Sequence, residues 1–240
     1  MNLRLVIFMS LILISFRGLA SQPPNPIQVT PHSRYDNGYQ ESRFNEVIMT
    51  LKAVYGPIIQ QLGGELVVLD DWSDGAVNMW AWRVGAEYVL EIPGGFSRFY
   101  LINEAAFLLT ICHELGHLLG GDPAQDQISY EGQSDYFSAK DCPRELFMAF
   151  DQVVRPELPA EVRDLCQNES ERRELCHQVL VGGLSATAYY AELEGAPAPL
   201  FSTPSPEKVK KTISTHPSAQ CRLDTILQGY FRQPRPSCWF

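Results

Sequence analysis

The chain has no surplus of basic residues, no internal repeat and few histidines, and each shortage narrows its function. Its 19 Lys and Arg stand against 28 Asp and Glu, a net charge of −9. That balance argues against nucleic acid and anionic membrane surfaces as partners, because polyanions attract cationic faces. Beyond the first twenty residues no apolar run approaches the ~20 residues of a membrane-spanning helix, so no span is expected in the mature chain. Hydrophobic residues make up 45% of the 240 and aromatic residues 11%, enough for a real core and unlike a disordered chain. The length suits one large domain, alone or with a small appendage.

The first residues read as a targeting segment. A basic start, Met1 to Arg4, precedes an apolar run from Leu5 to Phe16. Gly18-Leu19-Ala20 then offers the small residues a signal peptidase reads, with Ser21 as the new N-terminus. An uncleaved anchor is the competing reading, but the run is short of a span. Export to the periplasm or medium is therefore expected, with residues 1–20 removed near Ala20. All six cysteines fall later, and an even number behind such a segment fits an oxidising compartment. Sequence does not choose their pairing, although Cys166 with Cys176 closes a short loop at low entropic cost. Cys112 adjoins His113, but helix neighbours point about 100° apart. A buried thiol or a disulfide is expected there rather than a metal ligand.

Residues 21–38, rich in Pro, Ser and Asn, read as an extended lead-in, and 39–240 as a single domain. Apolar spacing predicts a helix over Tyr39–Leu62, ended by Gly63-Gly64. Strands are predicted at Glu65–Leu69, Val77–Val84 and Tyr88–Ile92, the last closed by Pro93-Gly94-Gly95 as suits an edge strand. Asn103–Leu119 is apolar nearly all round, the pattern of a central buried helix. Further helices are expected over Tyr130–Cys142, Arg144–Val153, Pro159–Leu165, Glu169–Leu193 and Pro217–Tyr230. The Pro- and Ala-rich stretch Gly195–Pro206 is expected to be a loop.

The chemistry gathers at Ile111–Gly120, ICHELGHLLG. His113 and His117 stand four apart, which puts both imidazoles on one helix face at a spacing that holds one zinc ion. Glu114 then lies where a carboxylate can take a proton from zinc-activated water. Two of only five histidines fall in this buried helix, and buried imidazoles without partners are costly. A catalytic zinc needs a third protein ligand. A third histidine six residues on is one pattern, but Pro123 occupies that position and Asp122 is one residue off. The other source is YEGQSDYF, Tyr130–Phe137, where Glu131 and Asp135 share a helix face. Glu131 is expected to bind zinc, and Asp135 to accept a hydrogen bond from the far nitrogen of a ligating histidine.

HELGH followed by this helical Glu and Asp resembles the gluzincins, and within them the peptidase family of HtpX, Oma and the periplasmic BepA-type proteases. Upstream, Ile92-Pro93-Gly94-Gly95-Phe96 is similar to that family's Pro-Gly-Gly turn before the metal helix. Downstream, Ser214-Thr215-His216-Pro217 with Arg222 is similar to its late His-Pro motif and following Arg. The matches run from about Asn78 to Arg222, with poor similarity between Pro143 and Pro206. The short gap from His117 to Glu131, the extra cysteines and the lack of membrane helices depart from the family.

The resemblance implies an α+β zincin-like metallopeptidase domain. In it, a small twisted sheet lies beside the HExxH helix and a Glu-bearing helix, and the C-terminal half is mainly helical. It implies one Zn2+ per chain on His113, His117 and Glu131, Glu114 as general base and acid, and His216 as a donor to the oxyanion. Arg222 would brace Asp135. An extended protein or peptide substrate would pair along Tyr88–Ile92 as the sheet edge. The expected activity is endopeptidase action on exported or envelope proteins. The rivals are a periplasmic binding or chaperone-like module with structural zinc, and a latent protease plugged by Gly195–Pro206.

Overall fold

The computed structural model describes residues 25–150, 153 and 157–240. The expected signal segment, 1–20, lies outside them. The described part of the lead-in is fastened down, bridging Gln28 to Ala76 and Asp36 to Phe99. Helix α1, Glu41–Gln61, buries Phe44, Val47, Ile48, Leu51, Tyr55 and Ile59, the one-sided spacing that predicted it. Gly63, at φ 80°, ends it in a conformation that other residues rarely adopt.

Three strands follow, β1 (Glu65–Asp71), β2 (Trp80–Val84) and β3 (Glu87–Pro93), in the order β1-β3-β2. β3 runs parallel to β1 and antiparallel to β2. Tyr88–Ile92 is therefore the middle of the sheet, not its edge. A tight turn at Gly85, φ 60°, folds β2 back onto one flank of β3, and β1 takes the other. The uninterrupted buried run Tyr88-Val89-Leu90 belongs to a strand covered on both faces, and its lack of alternation is the signal for that.

Pro93-Gly94-Gly95 does not simply stop β3 but opens a short helix, α2 (Gly94–Arg98). A Cβ on Gly95 would lie 2.1 Å from the Gly75 carbonyl oxygen, so only glycine lets these backbones meet. Arg98, fully buried, donates to the Val29, Trp72 and Asp74 carbonyls and ties the lead-in to the sheet. Helix α3, Glu104–Leu119, starts at Asn103, whose side chain accepts from the Ala106 amide at 2.8 Å. Every residue of α3 except Leu119 is buried.

A two-stranded hairpin, β4 (Ala124–Gln125) and β5 (Ile128–Ser129), leads into α4 (Glu131–Lys140). The helix expected over Arg144–Val153 is much shorter. α5 starts at Cys142, with Pro143 in its first turn, and ends at Leu146 before one 3-10 turn, Phe147–Ala149. Then come α6 (Ala160–Leu165), α7 (Arg173–Glu194) and α8 (Ala219–Tyr230), with neither helix nor strand over 195–218. α3 packs against α4 and α7, and α4 against α8, so the central helix is walled by helices and by β2. The architecture is mixed α+β with one continuous apolar cluster from α1 to α8. Disulfides join Cys112 to Cys142, Cys166 to Cys176 and Cys221 to Cys238, as suits an oxidising compartment. Among the described residues no helix is long and apolar enough to cross a membrane.

Candidate metal centre

The 3.6-residue period of α3 stacks His113 and His117 one turn apart, ring centroids 4.7 Å from each other, with their Nε2 atoms 3.1 Å apart. Gly116, between them, lets α4 come close: a Cβ there would stand 2.8 Å from Ser134 Cα. That approach delivers Glu131, the first residue of α4. Its Oε2 lies 3.3 Å from His113 Nε2 and its Oε1 3.6 Å from His117 Nε2. All three residues are buried.

The far ring nitrogens fix which side of each imidazole faces inward. His113 Nδ1 is 2.8 Å from Asp135 Oδ1, and His117 Nδ1 is 2.8 Å from the Ser129 carbonyl oxygen. Both oxygens only accept, so each Nδ1 carries a proton and Nε2 is the ring nitrogen turned toward Glu131. Two ring nitrogens and a carboxylate this close in a dry interior need a cation among them, a metal ion or, in the metal-free chain, the extra proton of His113. Glu131 Oε2 indeed has no hydrogen-bond partner among the described residues. His113, His117 and Glu131 can hold a metal ion.

Charge around the group agrees with that. Burial opposes protonation of His113, but Asp135 and Glu131 outweigh it and push its pKa up to about 9 in the metal-free chain. Burial would lift the Glu131 carboxyl, yet His117, His113 and His216 hold it well below the usual range. Asp135 is likewise held down, against burial, by Arg222 and His113. Arg222 donates from Nε to Asp135 Oδ2 at 2.9 Å and from Nη2 to Oδ1 at 2.8 Å, the two-pronged contact that fixes a carboxylate in place. Its guanidinium lies 3.7 Å from the Tyr190 ring centroid.

Glu114 is buried in the same turn of α3. Burial pushes its carboxyl upward. His216 Nε2 lies 3.2 Å from Glu131 Oε1, outside the three-residue group, and burial lowers its pKa to about 4. No protein-family model matches this chain, and no curated protein or solved structure matches it significantly.

The structure thus gathers all seven residues singled out in the sequence, His113, Glu114, His117, Glu131, Asp135, His216 and Arg222, at one place. Asp122 is exposed and outside the metal group, and Cys112 is spent in a disulfide. Sequence reasoning missed the Ser129 carbonyl, which any residue there would supply, and the aromatic face of Tyr190. The glycine inside HELGH was the visible hint of a close helix contact.

Proposed function

We propose that the chain is a zinc-dependent endopeptidase of gluzincin type, resembling the HtpX, Oma and BepA-type peptidases, that acts on exported or envelope proteins. One observation carries this reading: the ligand atoms of His113, His117 and Glu131 converge in the interior, and the buried Glu114 carboxyl stands in the same helix turn. Ligands about 2.0–2.1 Å from a tetrahedral zinc stand about 3.3 Å from one another, close to the 3.1, 3.3 and 3.6 Å found. Three protein ligands leave the fourth position open, the pattern of catalytic rather than structural zinc.

Zinc held by His113, His117 and Glu131 would supply Lewis acidity and acidify water at the site. Glu114, whose carboxyl burial pushes upward, would be the group that takes up a proton from the attacking water and passes it to the departing amine. Asp135 and Ser129 keep the two rings turned inward. Arg222 stops Asp135 from rotating away. His216, neutral at pH 7, is close enough to Glu131 to donate to the oxyanion that forms on the substrate carbonyl. For the substrate the edge strand is β2, which borders α3 and is paired on one side only. An extended peptide adds to its free edge through main-chain hydrogen bonds.

A second reading, a binding module or latent protease, draws on the depth of the site. His113, Glu114, His117 and Glu131 are at most 8% exposed. Metal content and quenched-peptide cleavage, measured on wild type and Glu114→Ala side by side, decide between them. The expected result is one zinc per chain in both and cleavage in wild type alone. Zinc in both with cleavage in neither favours the binding or latent role, and zinc in neither overturns the proposal.

A further inference from the structure

We propose that Trp239 is a positioning residue for Glu131, and that the segment 232–240 straps the first turn of α4 against the metal site. The inference rests on the metal reading above.

Tyr130, in the cap position of α4, makes no side-chain cap hydrogen bond; its amide donates to the Pro123 carbonyl at 2.9 Å, and Gln133 Nε2 donates to the Gly120 carbonyl at 2.7 Å. The strap adds contacts of its own on the outer side of this first turn. Trp239 is fully buried and lies flat on Gly132, the residue after Glu131. A Cβ on Gly132 would stand 2.2 Å from Trp239 Cδ2, so glycine is kept there for the ring; its φ is an ordinary helical one. Arg235 Nε donates to Gln133 Oε1 at 2.7 Å, and Tyr136 Oη donates to the Gln233 carbonyl at 2.6 Å. Two residues of α4 beyond Gly132 are thus held by the same segment.

The strap is itself anchored beside the site. Cys238 is bonded to Cys221, the neighbour of Arg222 on α8. Trp239 and Ser237 accept, through their carbonyls, from the Ile213 and Val209 amides at 3.0 and 2.8 Å, in the stretch that leads to His216. Cys221, Cys238 and Trp239 form a small cluster apart from the main core, so its loss does not empty the center of the fold. The indole Nε1–H has no partner among the described residues. The ring therefore acts through its bulk and flat face, which phenylalanine largely keeps.

Zinc affinity, measured on the full chain by competition with a chromogenic chelator, tests this together with thermal unfolding of the metal-free protein. Trp239→Ala is expected to weaken zinc binding roughly 10- to 100-fold, the scale of losing a group that supports a ligand. Trp239→Phe should bind close to wild type. Val47→Ala, in the buried face of α1, should lower the unfolding temperature and leave zinc affinity unmoved. Gly132→Ala should weaken zinc binding alone and add little to Trp239→Ala, since the ring it meets is then gone. It also probes the same contact if Trp239→Ala does not fold. Zinc affinity unchanged in Trp239→Ala or in Gly132→Ala overturns the inference. A wild type that binds no zinc removes the metal reading as well.

Discussion

Asp135 receives His113 on one side and Arg222 on the other, and all three are at most 3% exposed. A buried carboxylate is tolerable only with such partners, so each of the three makes the other two possible. His113 adds a pH dependence. Its folded pKa, about 9 without metal, exceeds the roughly 6.5 of an unfolded histidine. Its stabilisation is therefore complete below about pH 6.5 and lost as pH rises toward 9. Urea unfolding in excess chelator should show the metal-free chain weakening across that window. His113→Gln should lack that component, and identical slopes would reject the assignment. At this scale much of the site was legible. His113, Glu114 and His117 followed from helical spacing, and Glu131 and Asp135 from a second helix face. The Ser129 carbonyl was not, since a backbone acceptor leaves no trace in residue type.

The close pairing of α3 and α4 depends on Gly116, because Ser134 backbone atoms occupy the space a side chain would need. Gly116→Ala must push the helices apart, at a cost of about 1–3 kcal/mol. Chemical denaturation of the metal-free chain measures that loss, and an unchanged midpoint would show that the helices stand further apart than described. Helices were the readable elements: α1 and α3 announced themselves by apolar spacing and stop within two residues of the expected ends. Strand order was not readable. Which neighbours β3 takes depends on a turn at Gly85 and on where β1 returns, neither of which its own residues encode. The short α5 shows the opposite limit. Its apolar residues suggested a longer helix, but tertiary packing continues them as a 3-10 turn.

Across the whole molecule the disulfides bind helices that the site uses. Cys112–Cys142 ties α3 to α5 across a separation of 30 residues. Closing a loop of that size lowers unfolded-chain entropy by about 3–4 kcal/mol equivalent. Replacing both cysteines by serine should lower unfolding stability by that order, read from the urea midpoint. A loss near zero would mean that the bond constrains the unfolded chain little. The six cysteines also pair strictly with their nearest successors: 112 with 142, 166 with 176, 221 with 238. No bridge spans another, so a chain delivered end-first into an oxidising space can close each bond before the next pair emerges, without an isomerase to reshuffle them. The same arrangement leaves 195–218 uncrossed by any bridge. A single cut between 195 and 215 would free a fragment carrying His216 and Arg222 from one carrying His113, His117 and Glu131, and the two would part on denaturing gels without reductant.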